Sequence, residues 1–130
     1  MKDIDESSPL TIELAKLLIQ EMQTMSLPWI KAFLRLDVSD DHQGVKGSYV
    51  LENVVKLFDV FKHKRMFAAA LDIAPHLRET TSNEGRRFSL ALLIVDSKFN
   101  YGIKYEYADS QRWATSKLNG NNGIPSGYVD

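Results

Sequence analysis

The chain has 130 residues, a length suited to one domain whose single core buries roughly two thirds of the unfolded surface. Sixteen Lys and Arg against seventeen Asp and Glu leave a net charge of −1, which argues against a basic field dedicated to nucleic acid. Without cysteine there is no disulfide framework, thiolate metal site or cysteine nucleophile, and the acidic start MKDIDESSPL with no apolar run of ~20 residues leads us to expect a cytoplasmic protein with no membrane partner.

Ser8-Pro9 reads as an N-cap followed by proline at the first helical position, and Leu10, Leu14, Leu17, Leu18, Met22 and Met25 recur at helical spacing. A helix from Pro9 to Met25 is predicted, ended by Pro28. In WIKAFLRLDV, Ile30, Ala32, Leu34, Leu36 and Val38 alternate with Trp29, Lys31, Phe33, Arg35 and Asp37, which predicts a strand with one firmly apolar face. VSDDHQGVKG, residues 38–47, is polar and carries two glycines, so a long hairpin loop is expected there. Residues 48–61 fit a helix by spacing but strands by their β-branched and aromatic content, and strand is preferred. Lys62 to Glu79 reads as a second helix, with Met66, Ala69, Ala70, Ile73 and Leu77 on one stripe and Pro75 as an interruption.

After a loop at residues 80–85, RRFSLALLIVD is apolar on both faces, as a central strand under a helix would be. FNYGIKYEY should pair with it, with Phe99, Tyr101, Ile103, Tyr105 and Tyr107 on the buried face. From about residue 117 the chain turns glycine- and asparagine-rich, and an irregular tail lying on the surface is expected. The predicted fold class is α+β: a single domain over residues 1–130, with two main helices and an antiparallel sheet of four to five strands.

Chemistry is sparse. His42, His63 and His76 form no metal-ligand pair at helical spacing, and no nucleophile motif accompanies them. Asp37, Ser39 and Asp41 alternate as in a calcium loop, but His42 stands where the sharp turn needs glycine and Ser48 where a bidentate glutamate should be. GNNG has no strand before it and no helix after it, unlike a phosphate loop. No metal or cofactor is therefore expected. Tyr101, Tyr105, Tyr107 and Trp113, with Arg86, Arg87, Lys98, Lys104, Arg112 and Lys117, could stack bases and contact phosphates, although that strand's tyrosines are also its only means of burying a face.

The succession of a helix, a strand opened by Pro28-Trp29, Gly47-Ser48-Tyr49, a helix ending Leu77-Arg78-Glu79, an apolar strand, Phe99 to Tyr107, Asp109, Arg112-Trp113 and Gly123-Ile124-Pro125 resembles the YezG-like immunity proteins of bacterial polymorphic toxin and contact-dependent inhibition systems. Where that pattern carries a tryptophan in the strand before the tyrosine-rich one, this chain has Phe88. The resemblance implies stoichiometric inhibition without catalysis: a cytoplasmic protein binds the C-terminal domain of a cognate toxin, commonly a nuclease. Such a toxin is basic around its substrate groove, so carboxylates would meet it. The candidate contact residues are the acidic loop Asp37, Asp40 and Asp41, and the strand end Glu106 and Asp109 with Arg112 and Trp113 as anchors. Two other readings compete: a nucleic-acid-binding accessory domain using the tyrosine strand, and a small enzyme built on His42, Asp41 and Glu106.

Overall fold

The computed structural model describes residues 9–82, 85–117 and 122–128. Helix α1 spans Pro9–Met25, and strands β1 (Lys31–Val38), β2 (Gln43–Val50) and β3 (Val55–Leu57) follow it. Helix α2 (Lys64–Thr80) then precedes the hairpin β4 (Leu90–Asp96) and β5 (Tyr101–Glu106). The five strands form one antiparallel sheet in the order β3-β2-β1-β4-β5, which bears out the α+β expectation. The expected cap at Ser8 lies outside the described residues, but the helix begins at Pro9 as its spacing predicts.

Period-two alternation puts Ala32, Leu34, Leu36 and Val38 of β1 on one face, with Ala91, Leu93 and Val95 of β4 and Ile103 of β5. Both helices cover this face: α1 lies over β4 and β1, and α2 over β1 and β2. Leu14, Leu18 and Met22 of α1 and Met66, Ala70, Ile73 and Leu77 of α2 complete that core. Pro75 does not stop α2, which runs on to Thr80. One backbone N–H is lost there, and the packed stripe on either side of it outweighs that local cost.

Three expectations are corrected. The polar stretch 38–47 is not a long loop: the turn occupies residues 39–42, and β2 starts at Gln43 and pairs with β1 residue for residue from Val38↔Gln43 to Lys31↔Val50. Cross-strand pairing along eight positions overrides the weak strand propensity of Gln43, Gly44 and Gly47. Gly47 is demanded by proximity, since a Cβ there would stand 2.7 Å from the Phe33 carbonyl oxygen and 2.8 Å from the Phe58 ring. Secondly, β5 is shorter than the tyrosine pattern. Phe99 sits in the β4–β5 turn at φ 69° and is 53% exposed, and Tyr107 lies beyond the strand, so neither builds the buried face. Tyr101 and Tyr105 do pack there, and Tyr105 stacks on Phe88 at 4.9 Å.

Thirdly, the tail is irregular yet does not lie idle on the surface. The second face of the sheet presents Phe33, Leu90, Leu92, Ile94 and Val50, and among the described residues no helix covers it. Trp113, Ile124 and Tyr128 do so instead, with Trp113 only 1% exposed and the Tyr128 ring edge-on to Phe33 at 5.0 Å. Lys31 and Lys104 stand over the Tyr128 ring at 5.5 and 5.2 Å. Residues 118–121 and 129–130 of the expected tail lie outside the described residues.

Candidate functional site

Strand register decides where the acidic candidates meet. Asp37 near the end of β1 faces Leu90 of β4, and Leu90 in turn faces Glu106 at the end of β5. The β1–β2 turn with Asp40 and Asp41, and the β5 exit with Glu106 and Asp109, therefore share one rim of the sheet although about seventy positions separate them in the chain. The C-terminal turn of α2 reaches the same rim through Arg78. Ser39, Asp40, Asp41 and His42 with Pro75, Arg78, Glu79 and Arg87 line a shallow cleft of about 490 Å³.

Arginines, which the sequence reading assigned no role on this rim apart from Arg112, interleave with the acids. Asp40 Oδ1 accepts from Arg78 Nη1 at 3.0 Å and from Arg87 Nη2 at 3.2 Å, and Arg87 Nη1 donates to Glu79 Oε2 at 2.7 Å. The Arg78 hydrogen bond, followed by the Arg87 charge, holds the Asp40 carboxyl below the usual carboxylate range, and Glu79 in turn raises Arg87. The chain Arg78–Asp40–Arg87–Glu79 ties the β1–β2 turn to the end of α2. Arg78 also donates its Nε to the Phe88 carbonyl at 2.9 Å, which fixes its side chain before Asp40 is met.

Arg35 makes a second knot. It lies at the centre of β1 on the tail side, is 9% exposed, and donates Nε to the Arg112 carbonyl at 3.0 Å and Nη2 to the Ser110 carbonyl at 2.9 Å. Burial lowers its pKa, opposed by the charges of Asp37 and Asp109, and Asp37 Oδ2 lies 3.9 Å from Nη1. An arginine in the middle of β1, flanked by Leu34 and Leu36, was the available signal for this knot. Its partners are backbone carbonyls 75 and 77 positions away, which no local pattern displays.

The five acids thus differ in role. Glu106 Oε2 accepts the backbone N–H groups of Tyr107, Ala108 and Asp109 at 3.0 to 3.2 Å, while Oε1 takes Arg112 Nη1 at 2.6 Å. Arg112 first, then the Asp109 and Ala108 amides, pull its pKa down to about 2; Glu106, 15% exposed, thus shapes the loop through these bonds. Asp37 is partly covered and meets His42 Nε2 at 3.6 Å. His42 is thus beside Asp37, not the Asp41 of the enzyme reading, and Glu106 is committed to Arg112. Asp109 Oδ1 accepts the Gln111 N–H at 2.9 Å, as a turn residue does, yet remains exposed. Asp41 is exposed too and accepts only the Ser39 hydroxyl at 3.1 Å among the described side chains. Of these five, Asp41, Asp109 and the 75% exposed Asp40 face solvent, and Glu79 of the same cleft, 61% exposed, joins them.

Trp113 must be withdrawn as an interface anchor. Its ring is buried against Phe33, Leu90 and Leu92, and the Arg112 guanidinium covers it at 4.6 Å, so Arg112 and not the indole meets solvent. Of the tyrosines offered as a base-stacking platform, Tyr101 and Tyr105 pack on the helix-side core, and Tyr107 lies beneath Arg86 at 4.6 Å. Among the described residues, no three His, Asp or Glu side chains group so as to hold a metal ion, and no helix is long and apolar enough to cross a membrane. No protein-family model matches the chain, and no curated protein matches it.

Proposed function

We propose that this protein is a cytoplasmic immunity protein, which binds the C-terminal domain of a cognate toxin one to one and blocks it without catalysis. The toxin is a nuclease in this reading. What carries it is the convergence of the β1–β2 turn, the end of α2 and the β5 exit on one rim that holds Asp40, Asp41 and Asp109 toward solvent. Such a rim is pre-organised: the salt-bridge chain through Arg78 and Arg87, and the amide cradle around Glu106, set its shape before any partner arrives. Exposed carboxylates in fixed places mimic phosphate and speed encounter with a basic groove. The arginines interleaved with them make the rim a patterned surface, so specificity comes from matching both signs of charge.

The test is capture of the tagged protein from its native host at moderate salt, with mass spectrometry of whatever is retained in one-to-one amount. The expected result is the toxin domain of a large exported protein, whose toxicity co-expression of the chain suppresses. Asp41→Lys combined with Asp109→Lys should weaken that complex at least a hundredfold, against a shift of a few degrees in the melting curve from the Asp109 turn bond to Gln111 and its charge near Arg35, a shift that Asp109→Asn with Asp41→Lys should reduce. Retention of nuclease-sensitive RNA or DNA in place of a protein would overturn the proposal and return the basic and aromatic residues of β5 to a nucleic-acid role.

A further inference from the structure

Away from the acid rim, the turn that leads into α2 carries a feature the fold does not need. Phe61 is 80% exposed and Val60 beside it 53%, whereas Phe58, three positions earlier, is buried against Tyr49, His63 and Phe67. The exposure is built in. Asp59 Oδ1 accepts the Phe61 N–H at 2.8 Å, and the Asp59 carbonyl accepts the N–H groups of Lys62 and His63 at 3.1 Å, so the turn is pinned with Phe61 at its apex.

Around that apex stand Lys62, Lys64 and Arg65, all exposed. Lys64 and Arg65 occupy the first turn of α2, which contains no acid, and cations there oppose the helix dipole, so helix stability does not explain them. His63 between them is turned inward onto Glu21 Oε2 of α1 at 2.5 Å, and the Asp59 carboxylate is spent within the turn. What faces solvent is an exposed apolar tip with three cations and one carboxylate, that of Asp59, beside it, a local excess of two positive charges.

We propose that this turn is a peripheral docking surface for an anionic phospholipid membrane, with Phe61 and Val60 at the headgroup boundary and the cations over lipid phosphates. The inference is independent of the toxin-binding reading. Charge selects an anionic occupant, and it disfavours a second copy docked about a two-fold axis, which would set cation against cation. Composition then selects lipid over an acidic protein. Lysine is depleted from protein interfaces, where arginine serves bidentate pairing, whereas a flexible ammonium suits a diffuse charged surface and an aromatic tip suits the boundary layer. A surface contact of this kind needs no apolar run of ~20 residues, so the lack of one in the chain does not bear on it.

The test is co-sedimentation of the purified protein with vesicles of phosphatidylcholine alone and of phosphatidylcholine mixed with phosphatidylglycerol. Binding is expected only to the mixed vesicles and should be stripped by high salt. Phe61→Ser should lower it at least tenfold, about the loss of one buried aromatic contact, and Lys62→Gln with Lys64→Gln about thirtyfold, at roughly fivefold per lysine. Circular dichroism should not change in either variant. Failure to sediment with any vesicle, or binding indifferent to Phe61→Ser, overturns the proposal. So does a dimer in the ultracentrifuge that Phe61→Ser dissociates, or binding of polyglutamate in place of the mixed vesicles.

Discussion

Replacing Trp113 with alanine tests the tail as the cover of the second sheet face. The indole is 1% exposed and packs on Phe33, Leu90 and Leu92, so the change removes the largest side chain of that layer and leaves a cavity. Large-to-alanine changes at such aromatic sites cost about 3–5 kcal/mol. Trp113 also holds φ at 58°, a left-handed conformation that costs roughly 1–2 kcal/mol for a side chain with a Cβ, and alanine keeps that strain without the burial that offsets it. With an unfolding entropy near 2.1 cal/mol/K per residue, the 130-residue chain has an unfolding entropy of about 0.27 kcal/mol/K. A loss of about 4 kcal/mol then lowers the melting temperature by about 15 °C. The assay is urea and thermal unfolding by circular dichroism, with Phe99→Ala as the control. Phe99 is 53% exposed, so its removal should cost less than about 0.5 kcal/mol. A Trp113→Ala cost below about 1 kcal/mol would show that the tail does not cover the sheet, and the interface role withdrawn from Trp113 would reopen.

Other changes probe the knots of the fold. Arg35→Met should cost about 3 kcal/mol in urea unfolding, since two carbonyls, of Ser110 and Arg112, lose charged donors at once; limited proteolysis should then cut between residues 107 and 117 ahead of global unfolding. Gly47→Ala puts a Cβ 2.7 Å from the Phe33 oxygen and 2.8 Å from the Phe58 ring, an overpacking that should lower stability by about 2–3 kcal/mol in the same assay. Glu106 makes stability depend on acid. Its folded pKa of about 2 lies below the ordinary 4.5, so the folded state binds fewer protons than the unfolded one. Its contribution is complete above pH 4.5 and is lost as pH falls toward 2. Urea midpoints measured across that window should fall with pH in the native chain, and Glu106→Gln should flatten part of the slope. An unchanged slope would mean that the Arg112 pair does not form in solution.

Local signals in the chain were enough for the helix-side core. The spacing of Leu14, Leu18 and Met22 places α1, and the alternation of Ala32, Leu34, Leu36 and Val38 places β1, because each pattern records the face its own element must bury. The β4–β5 hairpin was legible for the same reason. Polar composition misled at residues 43–47, where pairing with β1 supplies backbone hydrogen bonds that side-chain character does not announce. The tyrosine pattern overstates the length of β5, since Phe99 and Tyr107 keep the strand's period just outside the ladder.

Tertiary structure alone decided the rest. Phe33, Leu90 and Leu92 show that a second face needs a cover, but no periodicity in the tail says that Trp113 and Tyr128 provide it. The same holds for the candidate site. The acids are visible in the sequence, whereas their meeting on one rim follows from the register that aligns Asp37, Leu90 and Glu106. Their division into structural and solvent-facing carboxylates follows from arginines and amides brought there by distant segments. Sequence determines what each element must bury, because that preference is written within a few residues. Which elements meet, and so which charges remain unspent, is settled only when the whole chain closes on itself.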